Sequence, residues 1–563
     1  MALQGEEVPC DKVYQAWRCL KGLGTKWGHL DLCWMTYICG ITSSRQLQGL
    51  PSSLQSLTLK DFNEKLPRLP PLLHSLTLMG SGFEQKLGSG YGLPSELRHL
   101  TLPPSFDQSS HDVVWPSNLL SLTLGTNFNH SLQGVKFPVT LESLSFGWCF
   151  SQSLKPVYER LPNLKRLRLD SFRSMNALKH FSRLEQLNMY SPRCEELTML
   201  PSSLRSLTIR GCQDFQSESL QALIKLETLK ILGKDCIANT MVVHELVKWP
   251  ESLRSMTLDF DLKSSDMQLP SALEELNFKS GTIWNLQFPP SLVSLDLGEL
   301  FYPNLHELCQ LPNLQHLKLG RCAKIVFPLP ATLRSLHLRD SQGPQPTAMP
   351  LPELEELDLG DRFNSPVFFP LPAKLKSLRF GKRFNHSLAN IKFPETLETL
   401  SFGAAFTQHI LLPPKLQKLE FRGSFKLDGV KLPQSLRSLK IGLESLESLE
   451  SPTALDSLKL DELEYLDEFM CQGLTVGCNN VAPLAGWETT CELLCSMISK
   501  EIDPDLYSIN NMIGALANTP KWKEALHMFS NMENFRLAPD FVTHSVILAG
   551  RIQAMVQEER LDA

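Results

Sequence analysis

The sequence predicts a repeat solenoid built on a parallel β-sheet, and three observations predict it. Leucine dominates the composition, with 103 leucines against 8 tyrosines and 38 prolines spread through 563 residues. The pattern L-x-x-L-x-L, with Met, Ile or Phe as occasional substitutes, recurs twenty times between Leu54 and Leu460. Its first leucines, from Leu54, Leu73 and Leu97 to Leu436 and Leu455, cover 401 residues in nineteen steps, so the mean period is about 21, within the range of solenoid repeats.

Within each unit the last two apolar positions, such as Leu122 and Leu124, alternate with hydrophilic neighbours, so they point to one side of a short strand. Repetition stacks those strands into one parallel sheet, as in leucine-rich repeats. Three buried leucines do not offset the backbone entropy of ordering about twenty residues, so a single unit cannot fold alone and the array needs caps. Residues 1–50 are read as the N-terminal cap, with HLDLCWMTYICGI, His29 to Ile41, as its core-facing part.

The rest of each unit specifies turns. Gly125, Gly147, Gly360, Gly381 and Gly403 follow the strand by one residue, where positive φ is expected. Pro51, Pro70, Pro94, Pro116, Pro138, Pro372 and Pro394 precede the first leucine by three residues; proline cannot donate to a ladder and belongs outside the strand. Between them lies a phenylalanine followed by a polar residue, as in FNHSL at Phe128 to Leu132 and at Phe384 to Leu388, and FSQSL at Phe150 to Leu154. These phenylalanines are expected to stack into an apolar spine on the convex side. In these residues the chain resembles the FNIP repeat family, a relative of the leucine-rich repeats. WPSNLLSLTLGTNFNHSLQGVKFP, Trp115 to Pro138, and the stretch from Leu371 to Pro394 carry the likeness most fully. The resemblance implies a protein-interaction solenoid with short, mostly non-helical convex linkers and no catalytic residues to transfer. Near Phe172, Leu220, Val243 and Leu305 the linkers lack the motif and read as more helical.

Past about residue 470 a helical pattern with a 35-residue period takes over. Trp487 and Trp522, Met497 and Met532, Pro504 and Pro539, and Asp505 and Asp540 are each separated by 35. In Leu506 to Asp540, Ser508 is placed to cap a first helix and Thr519 a second, with Pro520 in its first turn. This segment resembles a pentatricopeptide (PPR) repeat, one complete motif flanked by partial ones. The resemblance implies single-stranded RNA recognition by Asn510 and Asp540, with Ser545 at the corresponding place of the next unit. Charge opposes it, since residues 471–563 hold six Lys plus Arg against eleven Asp plus Glu. The alternative is a helical cap on the solenoid. The domain reading is therefore 1–50 cap, 51–465 solenoid, 466–483 linker and 484–563 helical segment.

A formal net charge of −5 argues against a general nucleic-acid or membrane-surface binder, and no run of about 18 apolar residues offers a transmembrane span. Fourteen cysteines form no C-x-x-C and keep no fixed spacing, which fits a reduced intracellular chain; the cytoplasm is the expected location, with an organelle the alternative that the PPR resemblance implies. Even the closest set, Cys471, Cys478, Cys491 and Cys495, reads as buried apolar cysteine rather than zinc ligands. The N-terminus places Glu6, Glu7 and Asp11 before its first arginine, unlike a secretory or transit signal, so the sequons at Asn129 and Asn385 are explained by the repeat. GSGYG at Gly88 to Gly92 lacks a phosphate-loop lysine, and neither GxSxG nor HExxH occurs. The expectation is a non-enzymatic scaffold with no cofactor and no small-molecule substrate, binding a protein partner; RNA association is the second reading. An adaptor for protein degradation would require a recruitment domain in residues 1–50, where none is recognised.

The partner surface should be the outward face of the strands. Thr58, Thr77, Thr101, Thr123 and Ser145 form a hydroxyl ladder that reads as a solvated face. The candidates for partner contact are the mixed charges Lys318, His337, Asp358 and Arg379, and the pair Arg166 and Arg168, which should lie beside Gln186 and Asn188 of the next strand.

Overall fold

The computed structural model describes mainly residues 54–81, 92–170, 175–190, 197–211, 220–233, 249–259, 268–279, 286–298, 305–320, 329–339, 351–423 and 430–442. It also describes strands at 37–41 and 457–461, a helix at 506–517, and single residues elsewhere. Among the described residues, internal contacts divide the chain into two compact units, one ending at Leu314 and one beginning at Gln315.

In the first unit thirteen strands follow one another: β1 (Tyr37–Ile41), β2 (Ser56–Lys60), β3 (Ser75–Met79), β4 (His99–Thr101), β5 (Ser121–Thr123), β6 (Ser143–Phe146), β7 (Arg166–Leu169), β8 (Gln186–Tyr190), β9 (Ser206–Arg210), β10 (Thr228–Leu232), β11 (Ser255–Leu258), β12 (Glu275–Phe278) and β13 (Ser294–Asp296). Each pairs in parallel with the next, and the leucines stay in register: Leu57 faces Leu76, Leu76 faces Leu100, Leu100 faces Leu122 and Leu122 faces Leu144. The second unit repeats the arrangement with β14 (His316–Leu319), β15 (Ser335–Leu338), β16 (Glu356–Asp358), β17 (Ser377–Arg379), β18 (Thr399–Phe402), β19 (Lys418–Phe421), β20 (Ser438–Gly442) and β21 (Ser457–Asp461). There Leu317, Leu336, Leu357, Leu378, Leu400, Leu419, Leu439 and Leu458 form one column. The period-2 alternation holds in most strands: Leu122 is 0% exposed, whereas Thr123 beside it is half-buried; at Thr257, Ser335 and Ser401 the outward position is buried as well. Strand β1 comes from the expected N-terminal cap and adds one more parallel strand, although YICGI lacks the leucine pattern.

The turn residues act both within their own coil and on the coil before. Pro70, Pro94, Pro116, Pro138, Pro372 and Pro394 each accept, through their carbonyl, the amide of the leucine three residues on, at 3.1 to 3.3 Å. The residue just before that leucine donates its side chain to a carbonyl of the preceding coil: Thr140 to Ser117 at 2.8 Å, Asn163 to Val139 at 3.2 Å, Ser291 to Ser271 at 2.8 Å and Thr396 to Ala373 at 2.9 Å. Carbonyls at the corner, which have no ladder partner, are satisfied in this way.

The glycines require a correction. Gly360 has φ of +82°, but Gly125, Gly147, Gly381 and Gly403 lie outside the left-handed region. What the five share is close approach of successive coils: a Cβ at Gly125 would overlap the Pro103 carbonyl, and one at Gly381 the Gly360 carbonyl. Glycine is needed there for space more than for φ.

The phenylalanines stack as expected. Phe106, Phe128 and Phe150 follow at 6.1 and 6.2 Å with rings within 10° of parallel. In the second unit Phe363, Phe384, Phe406 and Phe425 repeat at 5.7, 6.0 and 5.7 Å. Beside them Phe380, Phe402 and Phe421, which replace the last leucine of their strands, form another column with 5.2 Å steps. The polar residue after the phenylalanine builds a ladder as well: the Asn129 Oδ1 accepts from the Ser151 amide at 2.9 Å and from Gln152 Nε2 at 3.1 Å, and Asn385 repeats this with Thr407 and Gln408 at 3.0 and 3.1 Å. Each asparagine thus ties its coil to the next, the physical reason for the FN pair.

Among the described residues, isolated helical positions at Leu197 and Leu220 join the longer helical linkers, α1 (Lys155–Arg160) and the 3₁₀ turns at Met175–His180 and Leu305–Gln310. The last two fall where the motif-free linkers read as helical; Val243 lies outside the described residues. At the C-terminal end α2 (Leu506–Ala517) buries Ile509, Met512, Ile513 and Leu516. Ser508 sits in its first turn rather than at its cap. Thr519 and Pro520 lie outside the described residues; of the expected second helix Ala525, Met528 and Phe529 are described and helical, with Ala525 and Met528 buried.

Candidate interaction surface

Outward-facing residues form columns along each stack, one residue per strand, about 4.8 Å apart. In the first unit the register confirms the adjacency of Arg166 with Gln186 and of Arg168 with Asn188. Arg168 is held by a two-point ion pair with Asp170, its Nε and Nη2 each 3.0 Å from a carboxylate oxygen. Arg166 is exposed.

In the second unit Lys318, His337, Asp358 and Arg379 are successive register partners. Three of them, His337, Asp358 and Arg379, pair through the Asp358 carboxylate. Asp358 accepts from Arg379 Nη1 at 2.6 Å and from the Gly360 amide at 2.9 Å, with His337 Nδ1 at 3.6 Å. The second Arg379 nitrogen reaches Asp361 at 2.9 Å, and Lys382 reaches it at 3.2 Å. Burial works against the charged form of Asp358, yet His337, the Gly360 amide and Arg379 outweigh it and hold the carboxyl below the ordinary range. Burial likewise opposes ionisation of Glu420, and Lys418, Arg422 and Lys440 overcome it in the same way.

The sign of the pH effect follows. With its folded pKa lowered, Asp358 contributes its full stabilisation above the unfolded value of about 4 and loses it as pH falls through the folded value. Replacing Asp358 by Asn should lower stability at neutral pH by about 1–2 kcal/mol, a charge-assisted bond discounted for partial exposure. It should also flatten the acid limb. Urea denaturation followed from about pH 3 to pH 6 checks this, and identical pH slopes for the two proteins would count against it.

A second set of charges was not singled out in the sequence. One residue before each strand, opposite signs alternate from coil to coil: Glu142 with Lys165 at 2.9 Å, Arg205 with Glu227, Arg254 with Glu274, and Arg334 and Lys376 with Glu355 at 3.4 and 2.7 Å. The Lys165 ammonium lowers the Glu142 carboxyl, and Lys376 does the same for Glu355. Exposed pairs of this kind contribute little to stability, but they consume charge that a ligand would otherwise meet. The alternation is visible in the sequence once the repeats are aligned.

Of the residues tied to RNA by resemblance, Asn510 is buried on α2, and its Oδ1 accepts from the Thr543 hydroxyl at 2.6 Å. Ser545 is exposed, and Asp540 lies outside the described residues.

Residues 363–405 match the FNIP repeat family model, and within that stretch lie the stacked Phe363 and Phe384 and the asparagine ladder. No curated protein matches the chain. Among solved structures it is similar to CroV588, a circular leucine-rich-repeat protein, at 25% identity and a TM-score of 0.40 over 75% of this chain and 65% of that one. It thus spans less than two thirds of CroV588. It is similar also to YopM from Yersinia enterocolitica, at 20% identity, a TM-score of 0.31, and 76% and 86% of the two chains. For the internalin InlF from Listeria monocytogenes the figures are 13%, 0.27, 75% and 99%.

Proposed function

We propose that the protein is a non-enzymatic scaffold that presents the outward face of its parallel strands to a protein partner. The observation that carries this reading is the division of labour within each coil. Leucine, phenylalanine, glycine and the FN asparagine are all committed to the stack, and the residues between the strand leucines alone are left to vary from Thr123 to Arg168, His337 and Arg379. A surface whose chemistry changes rung by rung on a fixed spacing suits recognition of an extended partner surface.

The partner residues of this reading are Arg166, Arg168, Lys318, His337, Asp358 and Arg379. A PPR-like C-terminal segment that reads RNA through Asn510, Asp540 and Ser545 is the other reading. Burial of the Asn510 amide and the acidic balance of residues 471–563 both weigh against it. The test is affinity capture with the full chain, followed by the same capture with Lys318→Glu and Arg379→Glu and with Arg166→Glu and Arg168→Glu. Loss of the captured protein in one face variant but not in Asn510→Ala supports the scaffold. Capture indifferent to every face variant, or a labelled uridine oligomer bound by the full chain and lost in Asn510→Ala, overturns it.

A further inference from the structure

Along most of the first stack, charges near the strands are neutralised by the next coil. Two cations between β3 and β7, Arg98 and Arg166, are not. His74, Arg98, His99 and Arg166 gather on one side of the sheet, and among the described residues neither Arg98 nor Arg166 forms an ion pair. Ser121 and Ser143 lie between His99 and Arg166 in the register. Burial first, and then the charges of Arg98, Arg166 and His74, hold the His99 imidazole below its ordinary pKa, so these cations act on one shared space. On the next rows Arg168 is fixed by Asp170, while the Asn188 Oδ1 and the Arg210 Nε are buried without a hydrogen-bond partner.

The same rows carry an aromatic anchor. Trp148, two residues past β6, is 51% exposed. Its ring meets Tyr190, at the end of β8, edge-on at 4.6 Å and 78°. Tryptophan, tyrosine and arginine are the side chains that concentrate binding energy at protein interfaces.

We infer that the β4–β9 face is a docking surface for an extended acidic polypeptide segment whose carboxylates meet Arg98 and Arg166 and whose apolar side chain packs on Trp148 and Tyr190. The inference rests on the scaffold reading and names its partner chemistry. Six strands span about 24 Å, the reach of roughly seven extended residues. The pattern of charge selects a peptide over a polyphosphate. Glu142, Asp170 and Glu185 stand among the cations, and they repel a strand carrying a charge at every step, whereas a peptide can set acidic residues at the arginines and neutral ones elsewhere. The serine hydroxyls between His99 and Arg166 supply further donors to a carboxylate.

The test uses the full chain and a fluorescein-labelled octapeptide alternating glutamate and leucine, followed by anisotropy. Binding is expected, with Arg166→Glu and Trp148→Ala each weakening it about tenfold or more, the loss typical of an interface anchor. Lys415→Glu, the same charge reversal at an exposed site of the second unit, is expected to leave it unchanged. Trp148→Phe, which keeps an aromatic ring, should retain most of the affinity and guards against a folding artefact, checked by thermal melts of each variant. No binding, equal weakening by Lys415→Glu, or displacement of the peptide by a uridine oligomer overturns the proposal. If the octapeptide fails while protein capture still depends on Arg379, this surface is wrong and the scaffold reading stands; if capture ignores every face variant, both fall.

Discussion

Leu122→Asp is expected to unfold the coils around β5, whereas Thr123→Asp, one residue later, should leave the fold in place. Leu122 is 0% exposed and sits in register between Leu100 and Leu144. Aspartate there removes a packed side chain, leaves a cavity and brings an unpaired carboxylate into a column of leucines, a cost of about 4 kcal/mol or more. Thr123 faces outward between Thr101 and Ser145, so a carboxylate there remains in water at a cost within about 1 kcal/mol. Because each coil contacts mainly its neighbours, the damage from Leu122→Asp should be local. Hydrogen exchange should accelerate at the β4–β6 amides and change little beyond β9. The reverse order of the two substitutions would mean that the buried and outward faces have been assigned the wrong way round.

How far the sequence reveals this fold depends on whether a residue's role is repeated in every coil. The leucine columns are legible because Leu57, Leu76, Leu100 and Leu122 occupy one environment, so the pattern recurs at one period. The stacked Phe106, Phe128 and Phe150 are legible for the same reason. Strand β1 is not, because YICGI contributes a backbone edge to β2 without the leucine pattern. The glycines reveal their small size but not its use: at Gly381 the constraint is the Gly360 carbonyl of the preceding coil, a contact that no local reading of φ contains. Thr140 and Thr396 look like ordinary turn residues until the carbonyls they cap, 23 residues earlier, come within reach.

The candidate site is legible in position and less so in state. The register places Lys318, His337, Asp358 and Arg379 side by side, as the spacing implies. Their mutual pairing depends on side-chain reach, so the row expected to be open to a partner is partly closed on itself. Trp148 and Tyr190 are not legible in the sequence for a related reason. They sit 42 residues apart in the sequence, in linker and strand-end positions outside the repeating pattern, and only the stacking of two coils brings their rings together.

Removing one whole coil, Leu119 to Thr140, should shorten the first stack without unfolding it, and removing only 130–140 should disrupt it. In the longer deletion Asn118 joins Leu141 and takes the place of Thr140, keeping its own bond to the Ser95 carbonyl at 3.4 Å. Leu100 then meets Leu144, Phe106 meets Phe150, and the Asp107 carboxylate that accepts the Asn129 amide at 3.3 Å receives that of Ser151 instead. Arg98 comes to lie beside Glu142, a pair of the kind that links the other coils. Every interface is replaced by one of the same chemistry, so a single cooperative melt with Tm within about 5 °C of the full chain is expected. The shorter deletion keeps β5 and Phe128 but takes out Leu132, Val135, Phe137 and Pro138, and with them the return path to the next strand. Eleven residues cannot form a strand, turn the phenylalanine corner and come back, so Leu144 cannot remain on Leu122 and the leucine column breaks. Thermal melts of the two deletions decide the matter: equal loss of cooperative unfolding would show that coil length is not the unit of this structure, and equal retention would show that register is not what holds it.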